Sequence, residues 1–432
     1  MGSLLLNTQR TLFVSFLVTI FTLSDSQIQY TEANLHNRRA TPLSRIEPTQ
    51  AKPPSHPVYD FARNLFLETT ELNFNKEENV LISPFSIRAI LGLTYLAANG
   101  RTAQEIRDAL QFSSEPERLI SGLGKHMQQT QAQAGQSFLF KVGNGIFIQE
   151  GAMLNKTYSD IALNKLYSKV TNVDFRNTKK ATREINDWVR RVTANKIPDL
   201  LPPSSLSPET SIFLGNALYF SGQWEKPFDG SVPEMESKFK LISGKEITTP
   251  MMQIESTFGY AYISALQSVG ISIPFKDHRF EFIILKPDGS LRELENLMKT
   301  YPLNNLASDI KAYKRNVVLK MPKFKLDVNY DLVNVMRQLG INSLFDPSLV
   351  DLSGLTKGGE HHKVSRIIHR TSLDVNEDGA TAAAASGVEI YPISSPSIFA
   401  VDKPFVFMIN DRLTGPVLLG HLVNPLESSM TY

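Results

Sequence analysis

The chain has 432 residues, 42% of them apolar and 20% charged, with 45 basic against 43 acidic side chains. Such a composition builds a folded core and carries no global field for nucleic acid or a membrane surface. There is no cysteine, which excludes a disulfide scaffold, thiolate metal ligation and a cysteine nucleophile.

Arg10 precedes the apolar run Thr11 to Leu23, and Ser24, Asp25 and Ser26 follow it. A basic flank, a short apolar stretch and small residues are the parts of a secretory signal, so residues 1–26 are expected to be removed and the protein to be extracellular. A membrane span needs roughly 20 apolar residues, more than this run supplies. Residues 27–56 are polar and carry Pro42, Pro48, Pro53 and Pro54 without either structural period, which predicts an extension without regular structure. Its cluster Arg38, Arg39 and Arg45 lacks interleaved aromatics, so it reads as solvated rather than polyanion-binding.

Folded structure is expected from Pro57 to the C-terminus. Tyr59 to Leu72 places Phe61, Ala62, Leu65 and Phe66 at helical spacing. Asn79 to Ile82 reads as a short strand, and Ser86 to Asn99 as an apolar helix capped by Ser86 and stopped by Gly100. Further helical patterns cover Ala103 to Leu110, Pro116 to Gln131, Lys179 to Thr193 and Leu291 to Lys299. Strand patterns cover Ser137 to Gln149, Thr210 to Phe220, Tyr260 to Pro274, Phe280 to Lys286 and Val317 to Leu326. Near the end, Phe399 to Asn410 and Pro416 to Val423 face each other across Asp411 to Gly415 as a hairpin. The mixed order lacks the alternation of a parallel α/β sheet, no repeat at solenoid periods is present, and no linker interrupts residues 57–432. One α+β domain follows.

Catalytic signatures are missing: there is no Gly-x-Ser-x-Gly elbow, phosphate loop or His-Glu-x-x-His helix. Gly143-Asn144-Gly145 lacks the third glycine of a dinucleotide fingerprint and reads as a strand glycine pair. His361-His362 follows two glycines in a loop with no third histidine close by, which favours a solvated loop over a metal site. The basic stripe Lys179, Lys180, Arg183, Arg190 and Arg191 is broken by Glu184 and Asp187, a solvated face. No enzyme activity, metal or cofactor is expected. Asn155-Lys156-Thr157 is the one N-glycosylation sequon, consistent with secretion.

Glu377 to Pro404, EDGATAAAASGVEIYPISSPSIFAVDKP, needs explanation. Gly379 and Gly387 bracket the alanines, and Pro392 and Pro396 follow, so a helix is opposed despite alanine's propensity. A structureless stretch this long inside a domain is uncommon and usually functional or disordered. Too few residues follow Pro404 for a second core, so the hairpin must return to the body and leave a loop fixed at both ends. As a strand, Ala380, Ala382, Ala384 and Ser386 would share one face small enough to enter a core. Tyr391-Pro392-Ile393-Ser394 offers an apolar side chain as protease bait; the other reading is an ordinary flexible alanine-rich loop.

Four segments in order resemble the serpin family: Asn79 to Ser86 (NVLISPFS), Asn216 to Phe228 (NALYFSGQWEKPF), Phe399 to Ile409 (FAVDKPFVFMI) and Gly420 to Pro425 (GHLVNP). The resemblance covers residues 57–432 and implies a single serpin-type domain with mixed β-sheets, surrounding helices and an exposed reactive loop over about 377–400. It implies a polar shutter of Ser83, Ser86, Asn216 and His369, and a breach where Lys323 and Glu377 pair beside Trp224. It implies a hinge opening at Gly379 and running through Ala380, Thr381, Ala382, Ala383, Ala384, Ala385 and Ser386, with the reactive bond between Ile393 and Ser394. Ala380 and Thr381 replace the frequent Thr/Ser-then-Glu pair of the family, and both remain uncharged and fit for insertion. The implied activity is suicide inhibition of a serine protease, elastase-like first and chymotrypsin-like second, since Ile393 does not suit a pocket acid that wants Arg or Lys. The expected protein is a secreted monomer with no nucleic-acid or membrane partner and no cofactor. The alternative is a carrier that keeps the fold without inhibiting.

Overall fold

Two β-sheets are built from strands far apart in sequence, and their junctions position every element discussed below. The computed structural model describes residues 45–46, 56–73, 78–132, 137–228, 235–357, 362–377 and 396–431. Residues 44–432 form one compact unit by backbone contacts, and the other unit, 1–43, lies outside the described residues together with the expected signal.

The main sheet has six strands, in the order Ser429–Thr431, Phe324–Asp331, Val364–Val375, Ile212–Gly222, Phe138–Gln149 and Lys169–Val173. Val364–Val375 and Ile212–Gly222 run parallel, with His369 opposite Asn216 and Leu373 opposite Phe220. Each is antiparallel to its other neighbour. A ten-stranded sheet contains Ser397–Ala400, Lys314–Pro322, Glu246–Ile263, Ser268–Pro274, Phe280–Pro287, Phe405–Asp411, Gly415–Leu422 and Val80–Ile82, while Arg45–Ile46 and Met235–Lys240 also pair with Glu246–Ile263. The Arg45–Ile46 pairing departs from the expectation that 27–56 is without structure.

The Thr178–Val192 helix lies on one face of the main sheet. Ala181, Ile185, Trp188 and Val189 meet Phe147, Phe213, Ala217 and Ile368 there. A β-carbon on Gly143 would come within 2.5 Å of Val192, and one on Gly145 within 3.1 Å of the Trp188 ring. This close approach of helix to sheet is why a strand here carries two glycines. Against the opposite face packs the Pro84–Tyr95 helix, almost wholly buried.

Several expected elements are redrawn. Ser83, not Ser86, caps the Pro84–Tyr95 helix: its side chain accepts from the Ser86 amide, and Pro84 takes the first turn, where a missing N–H costs nothing. Gly100 begins the Gly100–Leu110 helix instead of stopping the preceding one. Tyr260 to Pro274 is two strands separated by a corner at Ser264–Leu266, with Gln267 left-handed at φ 45°. Val317 to Leu326 changes sheet between Pro322 and Phe324, and Phe399 to Asn410 is interrupted between Ala400 and Phe405. The Val364–Val375 strand has no counterpart in the sequence reading. A bulge between Val364 and Arg366 shifts its period, and three of its buried residues, His369, Thr371 and Ser372, are polar.

Candidate functional site

His369, Asn216 and Asn144 stand directly opposite one another on three adjacent strands, and Tyr330 continues the row on a fourth. All four are buried. The Ser83 amide donates to His369 Nε2 at 3.0 Å and the Thr371 hydroxyl donates to the same nitrogen at 2.6 Å. With Nε2 accepting twice, the ring proton sits on Nδ1, where it is donated to Asn216 Oδ1. Ser86 Oγ donates to that oxygen too, at 2.9 Å, and Asn216 Nδ2 donates to Asn144 Oδ1 at 2.6 Å. Complete burial pushes the His369 pKa down to about 3, so the ring is neutral at physiological pH.

The structure thus brings Ser83, Ser86, Asn216 and His369 into one network joining the Pro84–Tyr95 helix to both parallel strands. Sequence reasoning missed Asn144 and Thr371. The signal for Asn144 is an amide between two glycines that the overlying helix requires. Asn144 Nδ2 is buried and has no acceptor among the described residues.

At the end of the parallel pair, Lys323 and Glu377 form an ion pair, each with about a quarter of its side chain exposed at 23% and 25%. Trp224 Nε1 donates to the Asn376 carbonyl at 2.8 Å, and the Phe228 amide donates to the Glu377 carbonyl at 3.0 Å. Trp224 is itself fixed by stacking on Phe275 at 4.6 Å. Chain leaving one strand of the pair is therefore held to chain leaving the other, and Asn376 and Phe228 belong to this junction although the sequence did not single them out.

The hinge residues Gly379 to Ser386 and the bond residues Ile393 and Ser394 lie outside the described residues. Asn155 precedes the Lys156–Leu166 helix and is half-buried, with Nδ2 donating to the Gly354 carbonyl at 3.0 Å. His361 is outside the described residues, and His362 Nδ1 meets the Ser211 hydroxyl at 2.9 Å. Among the described residues no helix is long and apolar enough to cross a membrane. Elsewhere, a cavity of about 590 Å³ opens between Val80, Leu241, Ile242 and Leu291, with Lys240 and Arg292 at its wall.

Residues 57–425 match the family described as "Serpin (serine protease inhibitor)". The chain is 30% identical to the leukocyte elastase inhibitor of Bos taurus over 375 residues, covering 84% of this chain and 97% of that protein. It is similar in structure to the serine protease inhibitor Serpin-12 of Manduca sexta, with a TM-score of 0.77 and 25% identity over 87% of this chain and all of the other. Human thyroxine-binding globulin, solved in complex with thyroxine, also matches at TM-score 0.77 and 25% identity, over 86% of this chain and 98% of that one. A buried polar row beneath a parallel strand pair, an ion pair at the end of that pair, and a family match over residues 57–425 agree: this protein belongs to the serpin family.

Proposed function

We propose that this protein is a secreted suicide inhibitor of a serine endopeptidase with an elastase-like or, second, a chymotrypsin-like pocket. The supporting observation is the parallel pair Ile212–Gly222 and Val364–Val375 with Glu377 held at its end. A chain that turns back from Val375 runs antiparallel to Val364–Val375, and so antiparallel to Ile212–Gly222 as well. Its entry replaces one parallel ladder with two antiparallel ones, the slightly stronger pairing, and adds a row of hydrogen bonds. Asn376 and Glu377 are already fastened to chain that continues Ile212–Gly222, so Glu377 lies beside the ends of both strands. Gly379 to Ser386 carry side chains small enough for that position.

In this reading the serine of the target attacks the Ile393 carbonyl carbon, the Ile393–Ser394 peptide bond breaks, and Ser394 departs as a new amino terminus. Insertion of the freed hinge then carries off the acylated protease before water releases it, a use of strand addition general to loop-inserting inhibitors. All catalytic groups are those of the target. Ile393 favours an elastase-like pocket, in keeping with the similarity to the leukocyte elastase inhibitor.

The decisive experiment incubates the protein with elastase. A covalent complex that survives detergent and heat is expected, together with a marked rise in melting temperature of the loop-clipped protein. Simple nicking with no rise in melting temperature overturns the proposal. The cavity of about 590 Å³ favours a second reading, a small-molecule carrier like the thyroxine-binding neighbour. Calorimetry with thyroxine tests it, and binding without any covalent complex would favour the carrier.

A further inference from the structure

We infer that the cavity beside the Leu291–Met298 helix is a binding site for a free amphipathic carboxylate. The acid group sits between Lys240 and Lys403, and the apolar body lies against Val80, Leu241, Ile242 and Leu291. A volume of about 590 Å³ falls in the range of about 300–1,000 Å³ usual for small-molecule pockets. The cavity is at the open end of the hairpin Phe405–Asp411 and Gly415–Leu422, where Lys403, Pro404, His421 and Val423 meet, and not at the hairpin's turn. None of its lining residues belongs to Ile212–Gly222 or Val364–Val375. Binding there is independent of what the loop does, and it goes beyond the carrier reading by fixing the ligand's chemistry.

Two ammonium groups meet here because two stretches of chain are tied. The Lys240 amide donates to the Asp402 carbonyl at 2.9 Å, which sets Lys240 beside Lys403. Lys403 is half-buried, and its Nζ donates to the carbonyls of Asp288 and Gly289 at 2.8 and 3.4 Å. Among the described residues neither lysine forms an ion pair with a carboxylate. Burial, and then the ammonium groups of Lys286 and Lys240, hold the Lys403 pKa below the ordinary lysine value, with Asp288 and Asp402 opposing in part. Lys286 is already paired with Asp402 at 3.0 Å. A partly dehydrated cation without an anion is stabilised by an incoming carboxylate.

Most of the acids at the wall are spoken for or solvated. Glu295 is met by His421 Nδ1 at 2.8 Å and by Arg292 at 3.8 Å, and Arg292 also pairs with Glu71. Asp288 is exposed. Glu78 keeps one buried carboxylate oxygen without a partner among the described residues, a feature that suits an amphipathic cation. One such acid stands against two unpaired ammonium groups, so the anion is favoured. The apolar wall is fixed by a turn: the Leu241 amide donates to the Lys245 carbonyl at 2.9 Å, and Gly244, at φ 85°, donates to the Leu241 carbonyl at 3.0 Å. Ile242 on that turn is 47% exposed, while Val80, Leu291 and Val423 are buried.

Equilibrium dialysis of the whole protein tests the site with dodecanoate and with dodecyltrimethylammonium, which carries the same tail and the opposite charge. One dodecanoate per chain is expected, held about tenfold or more tighter than the cation, and more loosely as salt rises. Lys240→Glu should weaken dodecanoate binding about tenfold or more, as for the loss of one charge-assisted contact. Lys403→Gln should act in the same direction, and Ile242→Ser should weaken the hold on the tail; Lys240 and Ile242 are exposed, so their variants keep the fold. Unchanged affinity in all three variants, tighter binding of the cation, or no uptake of dodecanoate overturns the inference. A chain that forms the covalent elastase complex but takes up no dodecanoate loses this site and keeps the inhibitory reading. Lysine-dependent uptake by a chain that forms no complex supports the site and overturns that reading.

Discussion

Midway along the parallel pair, a neutral imidazole, two side-chain amides, two hydroxyls and the Ser83 backbone amide are bonded to one another out of reach of water. At the end of the same pair, a lysine and a glutamate meet with about a quarter of each side chain in solvent. The buried row is demanding in geometry, because every partner lost leaves a polar atom stranded. The ion pair is forgiving, since water and salt replace most of what it loses. Strand separation should therefore begin at the Lys323–Glu377 end and meet its main resistance at His369 and Asn216.

The strongest way to break this comparison is Asn216→Ala. It removes the acceptor of His369 Nδ1–H and Ser86 Oγ and the donor to Asn144. A loss of about 2–4 kcal/mol is expected, since several buried groups lose partners together. Urea unfolding of the intact protein measures it, and a loss under about 1 kcal/mol would mean the row is not the lock.

Acid sharpens the same contrast. Burial holds the His369 pKa near 3 in the folded protein, whereas an unfolded histidine protonates below about 6.5. As pH falls through 6.5 the unfolded chain gains a proton the folded one refuses, so stability is full above that value and is lost on the way down to about pH 3. The slope from this one group approaches about 1.4 kcal/mol per pH unit. His369→Gln should be less stable than the parent at neutral pH, and the gap should narrow as pH falls from about 6.5 to about 4. Parallel stability curves would show that His369 is not the group responsible.

Much of this site was legible because several of its residues fall in short contiguous segments that resemble the serpin family. The helix start lies in the neighbouring residues Ser83 and Pro84, though the local pattern puts its cap at Ser86, and Asn216 to Phe228 runs in one unbroken stretch from the row to the junction at Glu377. Other parts depend on registers that a linear pattern hides. His369 sits on a strand whose alternation is broken by a bulge, and Thr371 joins the network only because the two residues share a face. Val317 to Leu326 looks continuous, yet at Lys323 the chain crosses between sheets, putting that lysine opposite Glu377. The cavity is drawn from segments as far apart as Thr70, Lys240, Arg292 and Val423, a meeting no local pattern can announce.

The smallest effect is expected at the forgiving end, and it is the most discriminating. Lys323→Ala deletes one partner of a partly exposed pair, for which the expected loss is about 0.5–1 kcal/mol. The junction keeps two other ties, Trp224 to the Asn376 carbonyl and the Phe228 amide to the Glu377 carbonyl, so the loop's departure point should stay in place. Because the charges are screened, the deficit should shrink in about 1 M salt, where the screening length is only about 3 Å. Thermal unfolding of parent and variant at low and high salt reads both quantities. A deficit as large as that of Asn216→Ala and unchanged by salt would reverse the assignment, placing the hold on the strands at the end where the loop departs rather than in the row beneath them.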